Sequence, residues 1–141
     1  MSKLLILNSS GSEKYSIISL KNIEHYEKKM GKPIIDNSIS EEEASIQNLG
    51  VCCVYASETL GYTSEMTMFI EICFRSIAKC KETTDLISQR EIAEKTKLSI
   101  RTVRKYLKKL EKDGFLKINK SKHKTIGIGS SSSSYTPIFK Q

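Results

Sequence analysis

Apolar residues recur at two different spacings along this chain, and the change of period marks out its elements. At the start, Leu4-Leu5-Ile6-Leu7 and Tyr15-Ser16-Ile17-Ile18-Ser19-Leu20 are short apolar or β-branched runs around the turn-rich Asn8-Ser9-Ser10-Gly11-Ser12, which predicts a hairpin. The period then lengthens. Ile23, Tyr26 and Met30 recur every three to four residues behind a candidate N-cap, Asn22, and Gly31 with Pro33 marks a stop. Ser40-Glu41-Glu42-Glu43 has the form of a capping box, in which a hydroxyl and a carboxylate satisfy each other's free backbone donors. The helix it opens would place Leu49, Cys53, Ala56 and Leu60 on one face and end at Gly61. Ser64 opens another, with Met66, Ile70, Cys73 and Ile77 at the same spacing. Two helices so closely joined should pack as a hairpin, and stripes at helical spacing are read as core rather than as a ligand pocket or metal cluster.

Beyond Leu86 the signals are sharper. Ser88 can cap a two-turn helix, Gln89 to Thr96, which points Ile92 and Ala93 inward. Lys97-Leu98 forms a tight turn, and Ser99 caps a longer helix whose Val103, Leu107 and Leu110 fall on one face, with Gly114 closing it. Phe115 to Asn119 then alternates like a half-buried strand, and Tyr135 to Phe139 reads as its returning partner. The segment between them holds Lys120, Lys122, His123 and Lys124, followed by a Gly and Ser tract ending in five serines, Ser130 to Ser134, read as a flexible tip. The expected fold is mainly α with a small antiparallel β hairpin (α+β), divided into an N-terminal hairpin and helical module, 1–60, and a second domain, 61–141.

Charge changes this picture from shape to chemistry. Of the net +7 carried by 141 residues, the block 81–124 holds 14 Lys plus Arg against 6 Asp plus Glu, whereas 1–80 holds 8 against 10. All the positive excess sits in one block, which suits a polyanion. Away from Val103 and Leu107 stand Arg101, Thr102, Arg104, Lys105 and Lys108, and no acid interrupts these outward positions up to Lys109. A solvated helix face normally mixes signs; this one does not. Arg can donate two bonds to guanine, Thr can touch a thymine methyl, and Lys neutralises phosphate, so the face has the chemistry to read a DNA duplex.

Several classes recede. Cys52, Cys53, Cys73 and Cys80 contain no Cys-x-x-Cys pair and lie far from His25 and His123, so no metal or other cofactor is expected and the cysteines are read as buried hydrophobes. Vicinal Cys52 and Cys53 leave a redox switch open. The four-residue apolar run after Lys3 is too short for an export signal and no run could span a bilayer, so a cytoplasmic location is expected. With no Gly-rich phosphate loop and no Cys-His arrangement, an enzyme is not expected, nor is a small-molecule ligand evident.

The run Ile87-Ser-Gln-Arg-Glu-Ile-Ala-Glu-Lys-Thr-Lys-Leu-Ser-Ile-Arg-Thr-Val-Arg-Lys-Tyr-Leu-Lys-Lys-Leu-Glu-Lys-Asp-Gly-Phe-Leu resembles the winged helix-turn-helix domains of bacterial transcription regulators and of plasmid and phage replication initiators. With the flanking segments the resemblance extends over about residues 64–140. It implies a recognition helix over 99–113, with Ser99, Ile100, Arg101, Thr102, Arg104, Lys105 and Lys108 toward the duplex. It also implies a basic wing at Lys120, Lys122, His123 and Lys124, and phosphate contacts from Ser88, Gln89 and Arg90 at the first helix. Two positions depart from the family pattern: Lys97 stands where Gly is usual, and Ile100 where a polar residue is common. The expected partners are double-stranded DNA and a second copy of the chain, since one recognition helix covers few base pairs. A replication or partition protein of a mobile element and a winged helix used only for protein docking are the rival readings, and salt dependence separates the latter from DNA binding.

Overall fold

The structure is a computed structural model that describes residues 3–5, 16–31, 41–79, 81–120 and 132–139. The first hairpin is present: β1 (Lys3–Leu5) pairs antiparallel with β2 (Ser16–Ser19), Leu4 opposite Ile18, with an irregularity between Leu4 and Leu5. Its turn, residues 8–12, lies outside the described residues. Helix α1 (Leu20–Met30) follows without a break, so Asn22 sits inside the first turn and does not cap it. Strand and helix meet at one residue boundary, which leaves no room for a cap at Asn22.

Helix α2 (Glu41–Leu60) begins where the acidic run predicts and ends before Gly61. Gly61 to Thr63 connects it to α3 (Ser64–Arg75), which opens at Ser64 as expected and is capped by Thr63, whose hydroxyl accepts from the Met66 amide at 3.2 Å. The helical hairpin forms, but its buried face is rotated from the expected one. Val51, Cys52, Tyr55 and Ala56 of α2 and Met68, Phe69, Ile72 and Cys73 of α3 are buried, while Met66 and Ile70 stand at the edge of the core and Leu49 and Cys53 are half-buried. Ile77 is buried from a 3-10 turn, Ile77–Lys79, beyond the helix end. The buried Asn48 side chain donates to the Ile77 carbonyl at 3.1 Å, so this polar group in the core is satisfied. Burial pushes the Cys53 and Cys73 thiols up, which favours the unreactive protonated form.

The second half begins with a strand that two residues of sequence could not announce, β3 (Ile87–Ser88). Then come α4 (Gln89–Thr96), α5 (Ile100–Lys112), β4 (Leu116–Lys120) and β5 (Ser132–Pro137). The sheet order is β3-β5-β4, antiparallel, with Ile87 opposite Ser133 and Ile118 opposite Tyr135. Ser132, Ser133 and Ser134 therefore belong to the central strand, not to a flexible tip. A small polar side chain is tolerated there because both edges of the strand's backbone are paired.

One core runs from α1 to β5. Tyr26, the inner faces of α2 and α3, Ile92, Val103, Leu107, Leu110, Leu116 and Tyr135 form a continuous buried cluster. Tyr55 and Phe69 meet Phe139 edge-on at 4.9 and 5.6 Å between ring centres, which ties α2 and α3 to the residues after β5. Among the described residues, no helix is long and apolar enough to cross a membrane.

Candidate nucleic-acid interface

The site is assembled by two caps and two residues of left-handed backbone. Ser88 holds an extended backbone and its hydroxyl accepts from the Glu91 amide at 3.1 Å, starting α4. Lys97 ends that helix at φ 62°, ψ 25°, the conformation that glycine adopts without strain and a lysine only against a steric cost. Leu98 and Ile100 on either side of the next cap are half-buried against the core, which fixes the turn. Ser99 accepts from the Thr102 amide at 3.1 Å and donates to the Thr102 hydroxyl at 2.8 Å, so the first turn of α5 is closed on itself. Val103, Leu107 and Leu110 are buried as the spacing predicts. At the far end Gly114, with φ 81°, lets the Phe115 amide reach back to the Leu110 carbonyl at 2.8 Å and the chain enters β4.

With that seam buried, the opposite face is decided by geometry. Arg101, Arg104, Lys105 and Lys108 are exposed along α5, and Ser99 is exposed at its start with Thr102 half-buried beside it. Arg101, Lys105 and Lys108 form no ion pair among the described residues. Arg104 donates from Nε to the Gln89 side-chain carbonyl at 2.8 Å, which brings a residue from the start of α4 onto the α5 face; Arg90 is exposed next to it. Lys109 is different. Its ammonium lies 3.0 Å from Glu65 of α3, and that contact holds its charged form more firmly. An acid 44 positions away carries no local signal, which is why the sequence counts Lys109 with the free cations.

The framework behind this face is also ionic. Arg75, at the end of α3, donates to Glu71 on its own helix and to Glu91 on α4, so the first helix of the pair is pinned to α3. On the sheet, Lys117 and Lys120 are exposed, and Asn119 donates to Thr136 at 3.2 Å. Lys120 is the last residue of β4; Lys122, His123 and Lys124 lie outside the described residues.

Helices meeting across a left-handed turn, the second projecting a cationic face, with an antiparallel sheet behind, define a winged helix-turn-helix. Residues 84–117 match the family model described as winged helix-turn-helix DNA-binding, a segment that spans β3, α4 and α5 and reaches β4. Over that segment the chain is similar to winged helix-turn-helix DNA-binding domains. No curated protein and no solved structure matches the chain.

Proposed function

We propose that this protein is a sequence-specific reader of double-stranded DNA that acts as a cytosolic transcription regulator of bacterial or mobile-element origin, binding its operator as a homodimer. The observation that carries the reading is the row Arg101, Lys105 and Lys108 on α5, without an ion pair among the described residues and set opposite the buried apolar seam of Val103, Leu107 and Leu110. Arg101, Thr102 and Lys105 are assigned to base edges and neighbouring phosphates in the major groove, with Lys108 and Arg104 on the backbone. Ser88, Gln89 and Arg90 approach phosphate from the start of α4. Lys120, Lys122, His123 and Lys124 are assigned to the wing contact. Residues 61–141 supply the DNA-facing surface, and the partner or dimer surface is drawn from the helical hairpin of α2 and α3 or from the N-terminal module, residues 1–60.

The test is selection of bound duplexes from a random library with the full-length chain at near-physiological salt. An enriched motif of inverted half-sites about one helical turn, roughly 34 Å, apart supports a symmetric regulator. Failure to enrich any sequence, with binding that vanishes in moderate salt, would reduce the face to a nonspecific basic surface.

A further inference from the structure

Of the exposed cations along α5, Arg104 alone is hydrogen-bonded to a neutral side chain among the described residues. Its Nε donates to the Gln89 side-chain oxygen at 2.8 Å, and both Nη groups are left without a partner there. Further along the same helix Lys109 meets the carboxylate of Glu65 at 3.0 Å. A carboxylate at that range offsets the charge of its partner, and a carboxamide does not. Gln89 therefore fixes the direction of the guanidinium and leaves its full positive charge facing solvent.

The acceptor is itself firmly mounted. Gln89 opens α4 directly after the Ser88 cap and close to Glu91, which Arg75 ties to α3. Ile92 and Ala93 anchor the inner side of α4, and Val103, next to Arg104, anchors that of α5. The bond thus joins the outer sides of the two helices, between residues 15 positions apart whose backbones are both fixed by burial. A free arginine loses several rotamers when it meets an anion, whereas one already held at Nε has less to lose. With Nε engaged, the guanidinium offers its Nη edge, a pair of parallel donors that matches two oxygens of one phosphate.

We propose that Gln89 is a positioning residue, which holds Arg104 in the orientation where both Nη groups meet one backbone phosphate of duplex DNA. This assignment rests on the DNA reading above and adds a coupling between the two helices. Equilibrium titrations of the full chain over a series of salt concentrations test it, with a random-sequence duplex and a duplex carrying the selected motif. Gln89→Met keeps the side-chain stem and removes the acceptor. It should weaken binding to both duplexes alike, by roughly two- to tenfold, because the ordering of one long side chain is added to the binding step. Its salt dependence should stay that of the wild type, since Arg104 still reaches the phosphate. Arg104→Ala should reduce the salt slope by about one, and adding Gln89→Met to it should weaken binding no further. Gln89→Glu retains an acceptor but sets a negative charge on Arg104, so it too should flatten the slope. Gln89→Ala carries the same test if Gln89→Met does not fold. Unchanged binding in Gln89→Met, additive losses in the double variant, or a loss confined to the selected duplex overturns the positioning role and leaves the DNA reading intact. A wild type that binds neither duplex at low salt overturns both.

Discussion

Lys97 holds a left-handed backbone between α4 and α5, where a side chain collides with its own carbonyl. Lys97→Gly should therefore raise stability by about 1 kcal/mol, the steric relief being partly offset by the greater freedom of glycine in the unfolded chain. A urea midpoint that falls instead would mean the lysine stem makes a contact worth more than the strain. Arg101 has a different task. Arg101→Ala should lower affinity for the selected site by about 1–3 kcal/mol and relax the preference at one base pair, with the fold unchanged. Equal losses on selected and random DNA would assign it to phosphate. Tyr26 supplies a pH test: burial, helped by Glu58, pushes its hydroxyl up to about 12. The fold favours the neutral ring, so its contribution is intact below pH 10, the ordinary tyrosine value, and is lost as pH climbs from 10 through 12. Stability of the wild type should fall across that window, and Tyr26→Phe should fall less steeply, which a series of denaturant melts would show.

Among the elements, α5 was the most legible, because caps and a 3.6-residue period are local signals. Ser99, Val103, Leu107, Leu110 and Gly114 take the roles their spacing predicts. Leu107→Ala should cost about 2–5 kcal/mol as a core truncation; an unshifted melting temperature would place the helix the other way round. Helices α2 and α3 were legible as helices but not in orientation. Each has apolar residues on two faces, so periodicity could not choose between Cys52 and Cys53, and the neighbours decided. Gly50 is part of that decision: a Cβ there would come within 2.7 Å of Met30 Cε, so α1 packs close to α2 on that side. The two residues of β3 and the serines of β5 were illegible for another reason, since pairing partners far along the chain, not their own propensities, make them strands.

For the whole molecule, the basic block 81–124 falls on the segment that matches the winged helix-turn-helix family model, while the shared core did not show in composition. The basic block predicts steep salt dependence: if six or more cations meet phosphate, affinity should drop by about a thousandfold between 50 and 200 mM salt. A flat response in an equilibrium titration would favour protein docking over DNA.

The sheet order has a further consequence, in time. β5, which joins β3 on one side and β4 on the other, is made last of the three. A nascent chain that has just completed α4 and α5 therefore holds both helices of the reading unit, but neither strand that brackets them has its partner. Until residue 137 has been added the three-stranded sheet cannot close, so prematurely released chains should lack the closed sheet that backs those helices.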